Sequence, residues 1–144
     1  MKKTRIVFWT LTVLMALPML MASITDLIPI PEAVAGFEHY GYPTYLLPFL
    51  GIARILGLMA IFTPGFARLK EWAYAGFIFD VVLAIYSGLA VGDALVTLIP
   101  ATIALLFTTG SYVFYHKLRR ERAVLRRQNI TQAYSAATQH AVAA

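Results

Sequence analysis

The chain has 144 residues, 60% of them hydrophobic and 13% charged, and its mean hydropathy is +0.71. Soluble domains are about half apolar and about a quarter charged, so this balance suits lipid as solvent and leaves little chain for a soluble domain. There is no cysteine, which excludes disulfides, thiolate metal sites, iron–sulfur clusters and CxxC redox chemistry.

The net charge is +5, but its placement argues against nucleic acid as a partner. Six of the twelve Lys and Arg residues lie between Lys117 and Arg127, directly after an apolar run, and Lys2, Lys3 and Arg5 directly precede another. Juxtamembrane clusters of this kind are orientation signals and contacts for anionic lipid.

The first apolar run, residues 6–24, is uncharged and long enough to span, since about 20 residues cover the hydrocarbon. It is longer than a signal-peptide core and is expected to remain uncleaved, with a kink at Pro18. Residues 25–44 hold Pro29, Pro31, Gly36, Gly41 and Pro43, which break long helices; Pro31-Glu32 is expected to start a short outer helix reaching about Tyr40. The second span covers residues 45–62 and contains Arg54. Thr63-Pro64-Gly65 ends it, and Arg68 and Lys70 follow in the connection. The third span, residues 72–91, contains Asp80, and Gly92-Asp93 turns the chain into a fourth, residues 94–115. The transmembrane domain is thus expected over 1–128, with a flexible, frayed tail over 129–144.

Charge sets the topology. With the N-terminus inside, the inner side receives eleven of the twelve basic residues, while the outer segments hold Asp26, Glu32, Glu38 and Asp93. This positive-inside asymmetry predicts a multi-pass protein of the cytoplasmic membrane with both termini in the cytoplasm. The sequon at Asn129 then falls on the cytoplasmic side and is discounted. The fold expected is all-α, an antiparallel four-helix membrane bundle with a short outer helix between spans one and two.

Arg54 and Asp80 carry the most information, because a charge within the bilayer is costly and faces the bundle interior and a partner. Arg54 lies eight residues before Phe62 on an inward-running span, and Asp80 eight after Trp72 on an outward-running one. At 1.5 Å per residue both are about 12 Å from the inner interface, so an ion pair is expected. Gly76, Asp80, Ala84 and Gly88 form one ridge and Gly51, Arg54 and Gly57 another, which predicts a close seam between spans two and three. Two readings of the pair follow. One is a structural pair that fixes helix register. The other is a polar pocket in which Arg54 binds an anionic or carbonyl group and Asp80 orients it, with Tyr86 and Ser87 as candidate lining or, more plainly, as packing. Buried pairs are not intrinsically very stabilising, which favours the pocket.

Other residues say less. Glu71 is read as opposing Arg68 or Lys70 at the inner interface. His39 beside Glu38 is a loop histidine rather than a metal site, and no span contains histidine, so neither haem nor metal is expected. Met15, Met19 and Met21 are read as packing or lipid-facing, and Trp9, Trp72, Tyr45, Tyr112 and Tyr115 as interface anchors.

The pieces HYGYP at 39–43, LGIARILGLMAIFTPG at 50–65, RLKEWAYAGFIFD at 68–80 and AIYSGLAVGD at 84–93 resemble the DoxX-like family of small four-helix membrane proteins. Gly41, Tyr42, Pro43, Arg54, Gly57, Glu71, Trp72, Gly76 and Asp80 carry the resemblance. It implies a four-helix bundle more than an activity. The family name comes from a subunit of a thiosulfate:quinone oxidoreductase; other members look like partners in membrane redox complexes, and an animal branch includes a receptor chaperone. The resemblance implies a quinone- or lipid-handling component of a membrane redox system, with quinone as ligand and the electron-transfer cofactor on a partner. A non-catalytic chaperone or assembly factor, acting on a membrane protein partner or as a homo-oligomer, is the second reading, and a small transporter the third. No catalytic residue is assigned.

Overall fold

The structure is a computed structural model that describes residues 2–28 and 30–143, with Ala136 and the residues from His140 onward described by backbone alone. His140, in the expected tail, therefore lies outside the described side chains. Five α-helices occur among the described residues and no strand: α1 (Lys2–Leu27), α2 (Pro31–His39), α3 (Leu46–Phe62), α4 (Ala67–Val91) and α5 (Ile99–Ala143), the last preceded by a single 3₁₀ turn at Leu95–Leu98.

Local chemistry sets these limits. Pro31 stands in the first turn of α2, where its missing N–H costs nothing, and Glu32 follows in the same turn. Gly41 takes φ +74°, which lets the N–H of Tyr42 turn back to the Phe37 carbonyl at 2.8 Å. Gly92 ends α4 at φ +82°, and the Asp93 N–H reaches the Gly88 carbonyl at 2.8 Å. The two reversals aim Tyr42 and Asp93 at each other's helices.

α1 and the segment containing α5 are each long and apolar enough to cross a bilayer, as is α4; α3, with 17 residues, is apolar but shorter. α1 packs against α3 and α5, and α4 against the same two, so the packing order closes on itself. Contacts run in opposite directions along neighbouring helices. Thr12 meets Ser111 while Thr4 meets Glu121, and on α4 Tyr74 meets Ser111 while Gly88 faces Leu98.

The surface pattern is inverted relative to a soluble helix. α1 exposes Ile6, Leu14, Leu17 and Met21 but buries Thr4, Thr12, Ser23 and Asp26. In lipid, apolar faces need no cover, whereas polar groups need partners inside the protein. The core holds Met15, Met19, Leu58, Ile61, Tyr74, Phe77 and Val81, so two of the three methionines are packing material while Met21 faces outward. At the centre the Ser111 hydroxyl lies 2.8 Å from both Thr12 Oγ1 and the Tyr74 hydroxyl. This knot ties α1, α4 and α5, and all three residues are almost fully buried.

The structure corrects several expectations. α1 continues through Pro18 to Leu27 rather than ending near residue 24. The fourth helix begins after the 3₁₀ turn and runs unbroken to Ala143. Its described side chains are exposed from Arg122 onward; Ala, Gln and Arg favour a helix without packing. Tyr112 and Tyr115 are half-buried rather than exposed. They stack around Tyr74 at centroid distances of 5.5 and 6.1 Å. Trp72 and Tyr45, by contrast, are among the most exposed side chains.

Candidate functional site: a charge triad and its cleft

The α3–α4 seam is built by small residues on one side only. At Gly57 an added Cβ would lie 2.8 Å from the Phe77 ring, so glycine is what lets α4 approach. Gly51 does not join this seam as expected. It faces α1, where a Cβ would meet Leu27 Cγ and the Ser23 carbonyl at 3.0 Å. Gly88 faces Leu98 instead of α3. The glycine ridges therefore serve three different interfaces.

Close approach puts Arg54 against Asp80. Arg54 Nε donates to Asp80 Oδ2 at 2.8 Å and Nη2 to Asp80 Oδ1 at 2.9 Å, a two-pronged pair. A second acid partner was not expected from sequence. Arg54 Nη1 donates to Asp26 Oδ2, so one guanidinium ties three helices. Asp26 was placed in the outer loop segment because it stands among proline-rich residues. In the structure it belongs to the last turn of α1 and is 5% exposed. The signal was present: Thr12, Met15, Met19, Ser23 and Asp26 recur every three or four residues along the buried stripe.

The triad holds two carboxylates and one guanidinium, and hence one negative charge more than positive if both acids are ionised. A cleft of 210 Å³ between α3 and α4 opens onto it, lined by Arg54, Asp80, Trp72, Phe77, Gly57 and Gly76 among others. Gly76 keeps the space open, since a Cβ there would meet nothing within 4 Å.

Tyr86 and Ser87 do not reach this cleft. Tyr86 is 68% exposed on the outer surface of α4. Ser87 is buried and bonded to the Tyr42 hydroxyl at 2.6 Å and the Leu83 carbonyl at 2.7 Å. Tyr42 and Gly41 thus clamp the α2 segment to α4. His39 Nε2 reinforces the clamp with a 2.7 Å contact to Asp93 Oδ1. Burial, with the neighbouring Asp93 charge second, raises the Tyr40 phenol above its ordinary pKa of 10.0. Glu71 opposes neither Arg68 nor Lys70; it pairs with Arg119 of α5 at 3.1 Å, both side chains well exposed. Pro43 stands in the turn that leads into α3. Among the described residues no group of three or more His, Cys, Asp or Glu side chains could hold a metal ion.

The DoxX-like family model matches residues 10–110. The chain belongs to the DoxX-like family. The matched region includes Asp26, Arg54 and Asp80, the clamp residues Gly41 and Tyr42, and all of α2, α3 and α4. Membership together with the apolar helices makes the chain a membrane protein. No curated protein and no solved structure gives a significant match.

Proposed function

We propose that this DoxX-like protein crosses the cytoplasmic membrane as an antiparallel bundle of α1, α3, α4 and α5, with both termini in the cytoplasm, and handles a quinone- or lipid-type amphiphile for a membrane redox system. α2 lies on the outer side. The 17 residues of α3 reach about 25 Å, close to the hydrocarbon thickness, and fit a span with little tilt. Eleven of the twelve basic residues fall on the inner side in this arrangement.

The observation that carries the ligand reading is the 210 Å³ cleft with Arg54 and Asp80 at its base. It is smaller than the roughly 300 Å³ at which pockets for whole drug-sized ligands begin. It accommodates a polar head, while an isoprenoid or acyl tail stays in lipid beside the exposed Trp72. The electron-transfer cofactor belongs to a partner subunit in this reading. Native mass spectrometry of protein extracted gently from its own membrane tests it. A quinone or lipid retained by the wild type and lost from Arg54→Gln and Asp80→Asn supports the site. Retention by both variants removes it.

One observation favours the second reading, a chaperone or assembly factor. Three Arg54 nitrogens are already committed to carboxylates of this chain, as in a structural pair, and α5 carries exposed arginines beyond the apolar segment. A stable membrane partner recovered equally with wild type and with both variants would decide for that class.

A further inference from the structure

A second cleft, of 390 Å³, opens at the inner end of the molecule, away from the charge triad. Phe8, Trp9 and Tyr115 form its walls. Lys70, Arg119 and Arg122 stand around it, and no acid is among its lining residues. Arg119 is occupied by Glu71, but among the described residues no carboxylate pairs with Lys70 or Arg122. Lys70 Nζ is fixed by the Ile61 carbonyl at 2.6 Å and lies 5.8 Å from the centroid of the Tyr115 ring. Arg122 is near enough for its charge to oppose that of Lys70. Two cations that line one cleft, with no acid in that lining, form a place for an anion.

A groove of 400 Å³ between α1 and α3 is lined entirely by apolar side chains, Val13, Leu17, Leu20, Ile55, Leu58 and Phe62 among them. Phe62 also lines the basic cleft, so the two spaces meet at this ring. From Val13 to Leu20 the groove follows α1 for about 10 Å. One end is cationic and faces the inner interface, while the other is wholly apolar and runs into the span.

We infer that the inner cleft and this groove together bind an anionic phospholipid of the inner leaflet. The phosphate lies between Lys70 and Arg122, and one acyl chain lies along the α1–α3 groove. Charge complementarity selects the head and the apolar groove selects a lipid over a free anion. This site is separate from the α3–α4 cleft and does not depend on its ligand.

The test uses the full chain in neutral detergent, incubated with equal amounts of phosphatidylglycerol and phosphatidylcholine of the same acyl chains and read by native mass spectrometry. The wild type is expected to retain phosphatidylglycerol in excess. Arg122→Gln is expected to lower that excess about fivefold and leave the phosphatidylcholine adduct unchanged. Arg122 is exposed, so this variant keeps the fold. Val13→Trp, which fills the groove from an exposed position, is expected to weaken retention of both lipids. Arg54→Gln should leave the excess intact, which separates this site from the α3–α4 cleft. Equal retention of the two lipids by the wild type, or an excess unchanged in Arg122→Gln, overturns the inference. So does complete displacement by inorganic phosphate with Val13→Trp still binding, which would mark an anion site rather than a lipid site.

Discussion

Arg54 and Lys70 lie on the two arms of one helical hairpin, 16 residues apart in sequence, yet their surroundings differ. Arg54 is 17% exposed and held by two carboxylates from two other helices. Lys70 meets a carbonyl and a ring, with another cation nearby. In the proposed membrane arrangement the difference follows depth. Within hydrocarbon an unpaired charge is very costly, so the fold supplies its own counter-ions. At the interface water and lipid headgroups screen the charge, and the protein can leave it open to an external partner.

The strongest way to break that contrast is Arg54→Ala. It leaves Asp26 and Asp80 buried without a cation and should cost about 3–5 kcal/mol, read as unfolding in mixed detergent micelles followed by circular dichroism. A change below 1 kcal/mol would mean that water already reaches the triad. Gly57→Val probes the same seam through shape rather than charge. The added side chain meets the Phe77 ring and should cost about 1–3 kcal/mol by overpacking. Phe77→Ala in the same chain should restore part of it; no restoration would place the strain elsewhere.

Tyr74→Phe removes one hydroxyl from the Thr12–Ser111–Tyr74 knot. Interhelical hydrogen bonds in membranes average about 0.6 kcal/mol, so the loss should be of that size, because Ser111 keeps Thr12. At the interface, Arg122→Gln should change stability by less than about 0.5 kcal/mol. A cost equal to that of Arg54→Ala would erase the distinction between the two regions. The smallest effect concerns pH. The Tyr40 phenol is raised above 10.0, so its contribution is complete below pH 10 and is lost as pH rises through the folded value. Hydrogen exchange of the α2 segment should accelerate above pH 10 in the wild type and less so in Tyr40→Phe.

The legible part of the site was what one helix pair could specify. Arg54 and Asp80 stand at matching depth on consecutive antiparallel helices, so counting residues sufficed to bring them together. The proline-rich residues after Asp26 read as loop, yet it continues the buried stripe of α1; that the stripe brings it to Arg54 is decided by the packing of α1 on α3. Tyr86 and Ser87 illustrate the same limit. They are adjacent in sequence on α4, but one turns outward and the other bonds Tyr42, because successive helical positions are about 100° apart.

By itself the sequence determined that the chain is helical, apolar and charge-asymmetric, because those properties follow from composition and from where charges interrupt apolar runs. It also determined the family, through local motifs around Arg54 and Asp80. Tertiary structure alone decided that Arg54 has two acid partners, that Gly51 faces α1 while Gly57 faces α4, and that Glu71 reaches α5. These depend on how each helix is rotated about its own axis. That rotation is set by the simultaneous packing of several helices around one core, so no single run of sequence encodes it.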